Sequence, residues 1–351
     1  MVSPINPMLK EPLPEKDSTA GIERPLALLK HIPEDPVPLL GLANHSIVSA
    51  RQFSHEQIVQ LCRLAAKHEA VPVQTRRPLV GKILISAFYE PSTRTRLSFE
   101  SAWHRLGGDI MSITDPATTG IAKGESLFDV AEMLNNYGDL VVLRESSNDA
   151  IYEMLKALRI PIVNAGNGTD EHPTQALADI YTMFKWRPEL MDEHVAEGHR
   201  AKIGVIGVPS RMRTVRSLLY LLSLFPRSFE EVVIFCGEDE VFAKNQRENL
   251  KELGLNLRVS TELNKELPNL DIVYINSIAW VGDSYEELGK EFKLSAASPL
   301  KKGAIVMHPL ARGDELATDL DDTPHNWYFA QARSAVFIRM ALLTCLVQLN
   351  W

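Results

Sequence analysis

Cysteine is scarce. Cys62, Cys236 and Cys345 are the only three in 351 residues, and they are too few and too widely spaced for a disulfide framework or a clustered zinc site. All three sit in apolar stretches and are expected as plain core residues. No uninterrupted apolar run approaches the length of a membrane span, and the N-terminus lacks the charged-then-apolar plan of a signal peptide. A cytoplasmic location with no membrane contact is the expectation. Basic excess is missing too, because the formal net charge is -8; this argues against nucleic acid as a partner and requires any anion site to be a local cluster of arginines. Gly204-x-x-Gly207 is not a Gly-x-Gly-x-x-Gly fingerprint, and no Walker-type Gly-Lys-Ser/Thr occurs, so no nucleotide cofactor is expected. What is present suffices for two domains of ordinary size, with 45% hydrophobic and 23% charged residues.

The stretch around which the chain is organised begins with Ile83-Leu84-Ile85, a β-branched run too short for a helix and therefore a buried strand. Pro91 stops the pairing. Ser92 is the natural N-cap of a helix whose stripe of Leu97, Phe99, Ala102, Trp103 and Leu106 ends at Gly107-Gly108. A helix N-terminus offers unpaired N–H donors and partial positive charge to an anion. Ser92, Thr93 and Thr95 add hydroxyls, and Arg94 adds a fork suited to phosphate oxygens. The stretch reads as a phosphate cradle, although an ordinary capped helix with surface arginines fits the same pattern.

Residues 1–41 hold eight prolines and predict an irregular arm, with Leu26, Ala27, Leu28, Leu29 and Ile32 available to pack on the body or a neighbouring subunit. Ser54 and Gln57 form a capping box for a helix carrying Ile58, Leu61, Cys62 and Leu64 on one face. Strands follow at 109–114, 139–144 and 160–166. Arg144 falls at the carboxyl end of its strand, where open parallel sheets gather ligands. His172 and Gln175 then sit one turn apart at the start of an apolar helix. That helix bridges to a second series, with strands at 203–206, 232–236, 255–259, 272–275 and 305–307 and helices at 214–225, 241–253 and 284–292. The alternation predicts an α/β fold of two doubly wound parallel sheets joined by helices. A helix over 327–349, with Phe329, Ala332, Val336, Phe337, Met340, Leu343 and Leu346 on its apolar side, is expected to return to the first domain.

Phe-x-Glu-Pro-Ser-Thr-Arg-Thr-Arg-x-Ser-Phe-Glu, at 88–100, resembles the carbamoyl-phosphate motif of the aspartate and ornithine carbamoyltransferases. Four further stretches are similar to that family: the loop through Lys123-Gly124-Glu125-Ser126, His172-Pro173-Thr174-Gln175, the segment around Arg213-Thr214-Val215, and His308-Pro309-Leu310-Ala311-Arg312. The likeness covers about 42–349 and is nearer the aspartate branch. It implies a carbamoyl-phosphate domain at 42–175, an amine-binding domain at 176–325 and a C-terminal helix at 326–351 on the first domain. It further implies carbamoyl transfer from carbamoyl phosphate to an amino acid without cofactor or metal. Ser92, Thr93, Arg94, Thr95, Arg144, His172, Gln175 and Leu310 would hold carbamoyl phosphate, with Arg94, Arg144, His172 and Lys123 stabilising charge in the reaction. Thr119 and Lys123 match a hydroxyl and a lysine that enter the adjacent subunit's site and bind phosphate and acid groups of the substrates there, so a homotrimer with shared sites is implied. Arg213 matches the arginine that holds the acceptor's α-carboxylate.

Two departures matter. Ser277 and Ala279 stand where the aspartate branch has an Arg-x-Gln that binds the acceptor's side chain, and Ala311 stands where the family has a proline after a cis bond. A serine supplies no charged fork, which predicts poor use of L-aspartate and keeps open a different amine acceptor. A non-catalytic homologue with a binding or assembly role is the remaining alternative.

Overall fold

The computed structural model describes residues 23–71, 77–237, 240–276 and 292–347. Two parallel sheets form the frame. The first contains β1 (Ile83–Phe88), β2 (Asp109–Ile113), β3 (Leu140–Glu145) and β4 (Ile162–Asn167) in the order β2-β1-β3-β4. The second contains β5 (Ala201–Ile206), β6 (Phe229–Phe235), β7 (Leu257–Ser260), β8 (Ile272–Ile275) and β9 (Ile305–Met307) in the order β7-β6-β5-β8-β9. Central strands β1, β3, β5 and β8 are almost wholly buried, as helices on both faces of a parallel sheet require. Strand order reverses between β1 and β3 and between β5 and β8. Ligands in such sheets collect outside the carboxyl ends at these reversals.

The helix Pro173–Trp186 joins the two units, and every residue from Pro173 to Lys185 is buried. The C-terminal helix Tyr328–Leu346 packs against it and against the helices His55–Ala70 and Thr93–Arg105. A single apolar cluster consequently runs from Leu84 and Trp103 through Leu177 and Phe184 to Ile203 and Leu218. One buried carboxylate pins this junction: Glu69 accepts from Tyr181 and Lys185 at 2.8 Å each and from Arg333 at 2.8 Å. Burying a carboxylate is tolerable only when it is so matched.

Strands β8 and β9 fall where the sequence puts them, and the Ser54/Gln57 capping box forms. Three expectations change. The arm is not irregular throughout, because Glu23–His31 is a helix with Pro25 in its first turn, where proline is accepted, and Leu28 is fully buried. The helix expected at 241–253 shortens to Gln246–Glu252. In the C-terminal helix Phe329 is 50% exposed and Ala332 also faces out, whereas Gln331, Ser334 and Arg339 are buried. A helix enclosed on most sides has no single apolar stripe to read. It is the one helix among the described residues long and apolar enough to cross a membrane, but it is mostly buried within the protein. The expected helix at 284–292, together with Ser277 and Ala279, lies mostly or wholly outside the described residues.

Candidate active site

The carboxyl ends of both sheets open on one cleft of about 590 Å³. From the first unit, the turn after β1 supplies Ser92, Thr93, Arg94 and Thr95, the end of β3 supplies Arg144, and the turn after β4 supplies His172 and Gln175. From the second, Arg211 and Arg213 follow β5, Asn276 follows β8, and Leu310 and Ala311 follow β9. The sequence motifs, scattered over more than two hundred positions, thus converge. Thr119 and Lys123 do not join them: they lie on a short helical loop that does not line the cleft of their own chain, where Thr119 caps Ile121 through its hydroxyl.

Ser92 is the N-cap of the helix Thr93–Arg105, yet its side chain makes no capping bond. The first amide donors of the helix are therefore available to an anion. Arg144 and Arg213 share one carboxylate. Glu90 Oε1 accepts from Arg144 Nη2 at 2.5 Å and from Arg213 Nη2 at 3.0 Å, and Glu90 Oε2 accepts from Arg213 Nη1 at 3.2 Å. Arg213 Nη1 also donates to the Gly168 carbonyl at 2.7 Å. Burial raises the Glu90 carboxyl, but the Arg213 hydrogen bond and the Arg144 charge outweigh it and hold the group below the usual carboxylate range. Gly166 adopts φ +110, a conformation strained for any side chain, and a Cβ would press on both guanidiniums, 3.1 Å from Arg213 Cζ and 3.2 Å from Arg144 Nη1. Only glycine lets both guanidiniums close over this backbone.

His172 is buried, and burial with the charges of Arg144, Arg213 and Arg339 drives its pKa well below the ordinary histidine value, so the ring is neutral. A neutral imidazole donates one N–H to a carbonyl oxygen without bringing a proton to lose. Its backbone N–H donates to Ser217 Oγ at 3.0 Å, and Ser217 donates to Glu171 at 2.9 Å, which seats the turn against the second unit. Four unpartnered buried polar atoms belong to residues that line this cleft: His172 Nδ1, Arg144 Nε, and Nε and Nη2 of Arg339. Such atoms mark a place that a polar ligand can satisfy.

The loop after β9 is fixed by His308, whose Nδ1 accepts from the Leu310 N–H at 2.8 Å while Nε2 lies 2.9 Å from Glu315 Oε1. The Leu310–Ala311 peptide is cis, with Leu310 at φ 54. Arg312 is not free to enter the cleft, because Asp321 accepts both its Nη atoms at 2.5 and 2.7 Å. Glu90, His308, Gln331 and Arg339 also shape the cleft, although the sequence motifs assign none of them a site role. Arg339 lies beyond all of these motifs in sequence and could be found only through its burial.

Cations, neutral imidazole and free helix amides around one cavity suit a group-transfer enzyme that works by holding an anionic donor. The description "Aspartate/ornithine carbamoyltransferase, carbamoyl-P binding domain" matches residues 45–185, and "Aspartate/ornithine carbamoyltransferase, Asp/Orn binding domain" matches 199–346. The chain belongs to the aspartate/ornithine carbamoyltransferase family. It is 35% identical over 311 residues to the aspartate carbamoyltransferase catalytic subunit of Methanocaldococcus jannaschii, covering 87% of this chain and 98% of the relative. A second relative, from Methanococcus maripaludis strain C7, is 36% identical over 309 residues, with 86% and 98% covered. Among solved structures, aspartate transcarbamoylase of Trypanosoma cruzi with carbamoyl phosphate and aspartate superposes with a TM-score of 0.76 at 33% identity, covering 89% of this chain and 99% of that one.

Proposed function

We propose that this chain transfers the carbamoyl group of carbamoyl phosphate to the amine of an amino acid, in the manner of an aspartate carbamoyltransferase in pyrimidine biosynthesis. The observation that carries this reading is the convergence of the Thr93–Arg105 N-terminus, Arg94, Arg144 and neutral His172 on one cleft. Ser92, Thr93, Arg94 and Thr95 hold the phosphate. His172 and Arg144 donate to the carbamoyl oxygen, and Gln175 and the Leu310 carbonyl meet the carbamoyl nitrogen. The acceptor amine attacks the carbonyl carbon, the oxygen gains negative charge, and the C–O bond to phosphate breaks as the new C–N bond becomes permanent. Positioned cations and N–H donors lower this barrier because they are aimed before the charge develops. Arg213 holds the acceptor's α-carboxylate.

Residues 42–175 serve as the carbamoyl-phosphate unit, 176–325 as the acceptor unit, and 326–351 as the returning helix. Thr119 and Lys123 complete the site of a neighbouring subunit in a homotrimer, which accounts for their place outside their own cleft. The enzyme works in the cytoplasm.

A second reading changes only the acceptor. Ser277 and Ala279 replace an arginine and a glutamine, and Arg312 is tied to Asp321, which favours an amine without a second acidic group. Phosphate release from carbamoyl phosphate across a panel of amino acids tests both: the reading fails if no amine accelerates release above the spontaneous rate.

A further inference from the structure

Beneath the cleft lies a carboxylate with no part yet in the reaction. Asp179 is fully buried in the helix Pro173–Trp186. Side chains from three elements donate to it: Gln175 Nε2 to Oδ1 at 2.7 Å, Gln331 Nε2 to the same oxygen at 2.5 Å, and the Tyr274 hydroxyl to Oδ2 at 3.1 Å. With no proton on Oδ1, that oxygen only accepts, and each glutamine turns its amide nitrogen towards it and its amide oxygen away. For Gln331 that oxygen accepts from the His308 N–H at 2.8 Å. Gln175 lines the cleft, and its oxygen is the half of the amide left for a ligand.

We propose that Asp179 is a positioning residue that sets the amide orientation of Gln175, so that the cleft presents an acceptor to the ligand's nitrogen and selects a carbamoyl over an acetyl group. The proposal rests on reading the cleft as the carbamoyl-phosphate site. A carbamoyl nitrogen carries two hydrogens to give Gln175 Oε1, whereas the methyl of an acetyl group has about the same size and no such hydrogen. A site built to pair with an N–H rejects the analogue lacking it far more strongly than an apolar pocket rejects a change of size, because its own polar group is left unsatisfied. With Asp179 gone, the Gln175 amide turns freely and that discrimination fades. An asparagine keeps it, since Oδ1 still accepts from both glutamines while Nδ2 donates to the Tyr274 oxygen.

Calorimetric dissociation constants of the full-length protein for carbamoyl phosphate and acetyl phosphate test this in the parent, Asp179→Asn and Asp179→Leu. The parent is expected to prefer carbamoyl phosphate, Asp179→Asn to keep that preference within about threefold, and Asp179→Leu to lose at least about tenfold of carbamoyl-phosphate affinity with acetyl phosphate little changed. Equal losses for both ligands in Asp179→Leu, or none, overturn the proposal by reducing Asp179 to a structural part; so does a parent that binds the two alike. A parent that binds neither overturns the reading of the cleft itself. Should Asp179→Leu fail to fold, Gln175→Glu sets two carboxylates together, and adding Asp179→Asn restores a donor between them. The double variant is then expected to bind carbamoyl phosphate at least about tenfold more tightly than Gln175→Glu alone, and equal binding rejects the contact as a positioning one.

Discussion

Glu90 Oε1 accepts from Arg213 Nη2 at 3.0 Å although the two residues are 123 positions apart, and this contact ties the turn after β1 to the helix after β5 across the cleft. Glu90 also separates Arg213 from Arg144. Glu90→Gln leaves the two guanidiniums facing each other with no balancing charge and removes hydrogen bonds to charged groups worth roughly 1.5–3 kcal/mol. The expected result is at least about tenfold weaker binding of the second substrate with a smaller effect on carbamoyl phosphate, measured by calorimetry in sequence. The pH dependence has the same sign. Glu90 is held below the usual carboxylate range, so its contribution is present above the unfolded carboxylate value of about 4.3 and is lost as pH falls through its lower folded value.

Arg94→Ala is expected to weaken carbamoyl phosphate binding at least about tenfold, because a fork with two charge-assisted bonds to phosphate is removed. Direct titration gives the answer; equal affinity in variant and parent means that the cradle binds something else.

Subunit mixing tests the shared site. Arg94→Ala and Lys123→Ala chains, each nearly inactive alone, should regain activity when exchanged, since each supplies the half the other lacks. No recovery after verified exchange places the whole site in one chain.

Asp179 makes a stability prediction of opposite sign to that of Glu90. Burial lifts its carboxyl to about 7, against the lowering influence of its hydrogen bonds and of Arg339. A raised folded value stabilises the native state below the unfolded value of about 3.9, and that stabilisation is lost as pH rises through about 7. Thermal unfolding of the parent relative to Asp179→Asn should therefore worsen between mildly acidic and neutral pH. A constant difference across that range shows that Asp179 does not change its protonation there.

On the second reading of the acceptor, L-aspartate should be used with kcat/KM well below the ordinary enzymatic floor of about 10⁴ M⁻¹s⁻¹. Ser277→Arg with Ala279→Gln is expected to raise it. Steady-state kinetics at saturating carbamoyl phosphate reads both, and a parent value within about tenfold of that floor defeats the expectation.

Local chemistry explains which parts of this account were legible in the sequence. The turn Ser92–Thr95, which lines the cleft, and the capping box at Ser54–Gln57 are carried by contiguous residues, so spacing reveals them. β8 and β9 read correctly because short β-branched runs between breakers have few other uses. Glu90 gave no such signal: its role depends on Arg213, which the fold alone brings within reach. Asp179, Gln331 and Arg339 were hidden for a related reason, since buried polar residues in enclosed helices look like surface positions when only periodicity is read. The helix Glu23–His31 was obscured by the surrounding prolines, whose cost vanishes in a first turn.

The central claim is carbamoyl transfer at the cleft between the two sheets. Carbamoyl phosphate labelled with ¹³C at the carbonyl, incubated with the parent and with Arg94→Ala over a panel of amino acids, reports phosphate and the labelled product together. Acceptor-dependent phosphate release matched one to one by a carbamoylated amine is expected, with loss of both in the variant. Phosphate release no faster than spontaneous breakdown with every acceptor, or undiminished transfer by Arg94→Ala, would contradict it.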